Sequence, residues 1–96
     1  MSSDAYLLGI DYGTESCRVA IFDLAGRPVT FAATPYATKY PRSGWAEQSP
    51  ADWWEATVTG IREVLAASKV APAEIAGIGL SGQMHGSVFL DARNEV

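Results

Sequence analysis

The chain has 96 residues, 48% hydrophobic and 19% charged, with a net charge of −4. That balance describes one small folded domain rather than a disordered segment. Seven scattered Lys and Arg residues on an acidic chain argue against a nucleic-acid partner, whose phosphates demand clustered cations.

The single cysteine, Cys17, excludes an internal disulfide and a cysteine-built zinc site, and it reads as a small buried strand residue. Met1-Ser2-Ser3-Asp4-Ala5 has neither the positive charge nor the apolar core of a signal peptide. No stretch approaches the roughly 20 apolar residues of a membrane span. The expected location is therefore the cytosol.

The first strand is expected over Tyr6–Ile10, running into Asp11-Tyr12-Gly13-Thr14-Glu15-Ser16. A carboxylate at a strand end, with a Gly-Thr turn behind it, suits a metal-bound phosphate. Asp11 could hold Mg²⁺ directly or through water, since this ion favours one or two carboxylates plus phosphate oxygens. Gly13 removes a side chain where the backbone approaches something closely or takes positive φ. Thr14 and Ser16 offer hydroxyls, and turn N–H groups can converge on an anion. The same residues would also serve a plain Asx-turn between two strands.

A second strand is expected over Arg18–Phe22. Asp23-Leu24-Ala25-Gly26-Arg27 then suits a tight hairpin with Gly26 left-handed. A third strand, Val29–Thr34, completes an antiparallel meander. From Tyr36 to Ser49 the chain is polar and aromatic, and a loop of about 14 residues is usually functional or disordered. Trp45 within it favours packing.

Ser49 is expected to cap a helix, with Pro50 in the first position and Asp52 reaching back as in a capping box. Trp54, Val58, Ile61 and Leu65 follow at helical spacing, widened by Trp53, Thr57 and Val64. The Trp53-Trp54 pair reads as core ahead of a ligand platform. Gly60 in mid-helix costs about 1 kcal/mol against alanine, so it implies close packing. The helix should end near Ser68, ahead of Pro72.

Ile75–Leu80 reads as a strand with a glycine-bare face, which something should approach closely. Ser81-Gly82-Gln83-Met84-His85-Gly86 follows, then a fifth strand over Ser87–Leu90. Asp91-Ala92-Arg93-Asn94-Glu95 repeats the pattern of the turn after the second strand. The chain stops at Val96 as a hairpin opens, which suggests a fragment.

Three blocks resemble the N-terminus of the FGGY carbohydrate kinase family. Gly9-Ile10-Asp11-Tyr12-Gly13-Thr14 resembles its first phosphate motif, one shared with actin-like ATPases and Hsp70-type chaperones. Gly44-Trp45-Ala46-Glu47-Gln48-Ser49-Pro50, with Asp52-Trp53-Trp54, resembles its loop-to-helix signature. Ser81–Gly86 resembles the sugar-site block of xylulokinases. The run Thr14–Arg18, with Glu15, leans instead toward ribulokinases.

The resemblance implies an α/β fold, part of an actin-like (ribonuclease-H-like) ATPase domain, in β-β-β-α-β-β order with a mixed sheet. Residues 1–96 would be an incomplete first domain, with the second domain missing. It also implies Mg²⁺-dependent transfer of the ATP γ-phosphoryl group to a sugar hydroxyl, D-xylulose in xylulokinases. By that resemblance Asp11 stands beside Mg²⁺ and phosphates, Gly13, Thr14 and Ser16 approach the nucleotide, and Gln83, Met84 and His85 contact the sugar.

Neutral histidine offers one donor and one acceptor, and glutamine both kinds, which suits a polyhydroxy ketone. The family's general base is an aspartate further along, with no counterpart here, so the 96 residues alone should be inactive. Trp45 and Glu47 either border the sugar or fasten the loop. Lys39, Arg42, Arg62 and Arg93 read as surface charges. A homodimer is the candidate assembly of the full-length protein, with no nucleic-acid or membrane partner. The competing readings are another FGGY kinase such as a ribulokinase, a non-catalytic actin- or chaperone-like nucleotide module, and a stand-alone regulatory domain.

Overall fold

The computed structural model describes residues 5–83 and 86–96. Strands β1 (Tyr6–Tyr12), β2 (Ser16–Asp23) and β3 (Pro28–Pro35) precede helix α1 (Pro50–Ser68). A 3₁₀ turn, Pro72–Glu74, leads into β4 (Ile75–Ser81). The sheet order is β3-β2-β1-β4. β1, β2 and β3 form the antiparallel meander, and β4 returns parallel to β1. The mixed sheet and crossover helix match the expected fold class.

Alternation builds the core. Leu8 and Ile10 of β1, Cys17, Val19 and Ile21 of β2, and Ala32 of β3 are buried on one face. Helix α1 lies over β2 and β3, presenting Ala56, Thr57, Gly60 and Val64. Val19, Ile21 and Val64 are each almost fully buried, worth about 1.5–3 kcal/mol apiece. Gly60 is where helix and sheet come closest: a Cβ there would stand 2.6 Å from Val19 Cγ2. The close packing expected at this glycine is present.

The apolar stripe is rotated from the expected one. Trp54 is 68% exposed, while Ala56 and Gly60 face the sheet. Only small side chains fit where the helix crosses so near to β2, so the indole is turned outward. The paired tryptophans divide, since Trp53 is half-buried and hydrogen-bonded.

Ser49 is the N-cap and Pro50 opens the helix, but the serine side chain makes no capping bond. The Ser49 carbonyl accepts the Asp52 N–H at 3.0 Å, and proline has already removed one orphan donor. The helix ends at Ser68 as expected, with Lys69 left-handed at φ 60° and its N–H donated to Leu65.

After β2, Asp23 accepts the Ala25 and Arg27 N–H groups, and Gly26 takes φ 84°. Asp91 accepts the Arg93 and Glu95 N–H groups in the same way, with Asn94 at φ 62°. The expected repeat of the turn is thus present in its backbone hydrogen bonds, while the Arg27 Nε–Asp23 Oδ2 pair belongs to the first turn alone among the described residues. The fifth strand over Ser87–Leu90 is not formed among the described residues; Val88, Phe89 and Leu90 are exposed. A strand is held by its ladder, and this segment has no pairing partner here.

No helix among the described residues is long and apolar enough to cross a membrane.

Candidate functional site

β1 runs two residues further than expected, so Asp11 lies inside the strand and Tyr12 ends it. Asp11 pairs in register with Arg18 on β2 and with Ser81 on β4. Cross-strand neighbours share a face, so carboxylate, guanidinium and serine stand side by side at the carboxyl ends of β1 and β4. Ligands of open α/β sheets gather at such ends. Asp11 is half-buried, and no hydrogen bond or ion pair engages its carboxylate among the described residues.

The β1–β2 turn is tied down by its carbonyls. Gly13 N–H donates to Ser16 O at 2.9 Å. The Tyr36 hydroxyl donates to Gly13 O and also lies 3.1 Å from Ser16 O. Tyr36 N–H reaches Glu15 O at 3.1 Å, and Gln48 Nε2 reaches Thr14 O at 2.6 Å. All four turn carbonyls are therefore occupied by protein donors. The Thr14 and Glu15 N–H groups donate to nothing among the described residues. Fixed carbonyls and free N–H groups make an anion receptor.

Gly13 is required for close approach rather than for positive φ. A Cβ on it would lie 3.2 Å from Ser16 O, and it is not among the left-handed glycines. Burial raises the Tyr36 hydroxyl pKa above its ordinary value, helped by negative charge from Cys17 and Asp11 and opposed by Gln83. Tyr36 therefore stays protonated and keeps donating.

Gln48 joins this turn to the block after β4. Its Nε2 also donates to Thr38 Oγ1 at 2.7 Å. Its Oε1 accepts Trp53 Nε1 and Gln83 Nε2, each at 2.9 Å. Of the expected sugar-site trio, Gln83 is thus brought to the β1–β2 turn. Met84 and His85 lie outside the described residues.

The glycine-bare face of β4 is half covered: Leu7 Cδ2 would lie 3.5 Å from a Cβ at Gly77, and nothing described lies within 4 Å of one at Gly79. The approach expected on this face is thus made at Gly77, by Leu7, and not at Gly79 among the described residues. The long loop is closed by mutual backbone hydrogen bonds between Lys39 and Glu47, at 2.7 and 2.8 Å. This places Glu47 in a fastening role. Trp45 is half exposed, with the Arg42 guanidinium 5.1 Å above its ring, so Arg42 is more than a surface charge.

Gln48, Tyr36 and Arg18 carry no role in the sequence motifs and gain one only from their partners in the fold. An amide one residue before a helix cap, and a tyrosine just past a strand end, were the available signals. Their partners lie 34 and 23 residues away. Two hollows lie elsewhere, one beside Tyr6 and Arg27 and one beside Ile61 and Ile75, and neither includes the turn.

Among the described residues no three His, Cys, Asp or Glu side chains converge as a metal cage. A lone free carboxylate fits Mg²⁺, which takes few protein ligands when phosphates supply the rest.

Comparison with known proteins returns one consistent relationship. The profile of the FGGY family of carbohydrate kinases, N-terminal domain, matches residues 6–96. A glycerol kinase of Citrifermentans bemidjiense is 39% identical over 86% of this chain and 17% of its own length. A xylulose kinase of Bacillus subtilis is 34% identical over 95% of this chain and 18% of its own. A crystal structure described as a xyloylose kinase from Brucella ovis superimposes with TM-score 0.85 at 42% identity, covering 94% of this chain and 19% of that one. The chain therefore spans less than a fifth of the length of each of these relatives.

Proposed function

The chain belongs to the FGGY family of carbohydrate kinases, and we propose that it is the amino-terminal portion of an ATP-dependent pentulose kinase acting on D-xylulose. The observation that carries this reading is the Gln48 bridge, which puts Gln83 and the Thr14 carbonyl on one amide. A phosphate-binding turn and a polar block joined this directly suit a reaction that brings nucleotide and acceptor together. The 42% identity to the Brucella ovis protein supports a pentulose as acceptor.

Phosphoryl transfer asks for positioning and charge neutralisation more than covalent chemistry. Asp11 would hold Mg²⁺, whose charge would offset that of the phosphate oxygens. The Thr14 and Glu15 N–H groups would receive phosphate oxygens, with Gly13 and Ser16 shaping the turn. Arg18 would add positive charge beside Asp11. Gln83, Met84 and His85 would bind the sugar, with Gln83 Oε1 as an acceptor for a hydroxyl. The general base and the adenine pocket would come from beyond residue 96, so these residues alone should not turn over.

A second reading is a glycerol kinase, favoured by the 39% identity to the Citrifermentans bemidjiense enzyme. One assay separates the two. The full-length protein is supplied with Mg-ATP and D-xylulose, L-ribulose, gluconate or glycerol, and ADP release is followed. Turnover highest with D-xylulose is expected; highest turnover with glycerol would replace the first reading with the second. ATP binding without turnover of any of them would indicate a non-catalytic nucleotide module.

A further inference from the structure

We propose that Gln48 is a positioning residue that makes nucleotide and sugar binding interdependent, an inference that rests on the kinase reading above. A primary amide has two N–H donors and an oxygen with two acceptor sites. Gln48 uses all four. Nε2 donates to Thr14 O at 2.6 Å and Thr38 Oγ1 at 2.7 Å, while Oε1 accepts from Trp53 and Gln83 at 2.9 Å each. No rotation of the amide can improve one arm without loosening another.

Two of the four partners are structural anchors. Trp53 lies in the first turns of α1, and Thr38 adjoins the Lys39–Glu47 closure of the loop. The other two belong to the two ligand sites. The Thr14 carbonyl lies in the peptide whose N–H, that of Glu15, has no acceptor among the described residues, so pulling on the carbonyl orients the donor. The Gln83 amide is oriented the same way, through its Nε2. Ordering either arm by a ligand fixes Gln48 and pre-orders the other, which is a coupling free energy between the sites.

Glutamate at position 48 separates the arms by chemistry. A carboxylate keeps both acceptor functions toward Trp53 and Gln83 but has no N–H for Thr14 or Thr38. Gln48→Glu should therefore cut the nucleotide arm while leaving the sugar arm in place.

The test uses the full-length protein and titrates the Kd of its best-turned-over acceptor with and without a non-hydrolysable ATP analogue and Mg²⁺. In the wild type the analogue should tighten the sugar by about 5-fold or more, within the range of ordinary coupling. In Q48E that ratio should fall toward 1, with sugar affinity in the absence of nucleotide close to wild type. A merely structural role would instead weaken both ligands together and leave the ratio unchanged. If Q48E does not fold, Thr38→Val carries the test, since it removes one acceptor of the same amide; its ratio should fall at least two-fold. A wild-type ratio of 1, or a wild-type ratio retained in the variant, overturns this inference alone. A wild type that turns over no acceptor overturns the kinase reading and this inference with it.

Discussion

The hydroxyl of Tyr36 donates to the carbonyl of Gly13, 23 residues earlier in the chain. One side chain just past the end of β3 thereby sets the shape of the turn after β1. Tyr36→Phe keeps the ring and removes the donor, leaving the Gly13 carbonyl without its partner. A loss of about 1–3 kcal/mol in stability is expected. In the full-length protein the KM for ATP should rise more than the KM for the acceptor. Steady-state kinetics with each substrate varied in turn decides this, and equal rises in both would remove Tyr36 from the nucleotide side.

Asp11→Asn should leave folding intact, because no group among the described residues pairs with the carboxylate. The cost should fall on turnover. Losing a charge aimed at the reacting phosphates typically lowers kcat about 100-fold or more. The Mg²⁺ concentration giving half-maximal rate should also rise. A variant with wild-type Mg²⁺ dependence would move the metal away from Asp11.

Gly60→Ala pits two effects against each other. Alanine favours the helix by about 1 kcal/mol. Its Cβ would press to 2.6 Å from Val19 Cγ2, and overpacking of this kind costs about 1–3 kcal/mol. The steric term should win, giving net destabilisation in urea unfolding. Val19→Ala in the same chain should recover part of the loss. A stabilised Gly60→Ala would show that α1 can lift off β2 freely.

Burial raises the Cys17 thiol pKa, opposed in part by the neighbouring Thr57 hydroxyl, and burial likewise raises that of Tyr36. Both groups are neutral when protonated, so folding holds their protons more tightly than the unfolded chain does. Their contribution to stability is complete below the ordinary values of 9.0 for the thiol and 10.0 for the phenol. It declines as pH rises beyond those values toward the raised ones. Urea midpoints should be flat from neutral pH to about 9 with respect to these groups and fall above it. Thiol-reactive dye should label Cys17 slowly at pH 8 and rapidly once urea opens the core.

Much of this protein was legible before any coordinates. The apolar runs in Tyr6–Ile10 and Arg18–Phe22, the Asp-to-Gly turn at Asp23–Gly26, and Pro50 at a helix start are local signals. Local signals survive because backbone sterics and short-range hydrogen bonds enforce them. The strand ends were less legible: β1 absorbs Asp11 and Tyr12 because ladder pairing with β2 and β4 extends it past its apolar run. The inward face of α1 was misplaced for a related reason. Hydrophobicity alone favours Trp54, but the close approach to β2 turns Ala56 and Gly60 inward beside the expected Thr57 and Val64.

Residue identity by itself determined the chemistry on offer: one carboxylate beside a glycine turn, a polar block after a glycine-bare strand, and the motifs that mark the family. Tertiary structure alone decided which of these meet. Tyr36 and Gln48 reach the turn across chain separations that carry no sequence signal, because a hydrogen bond depends on distance in space and not on position along the chain.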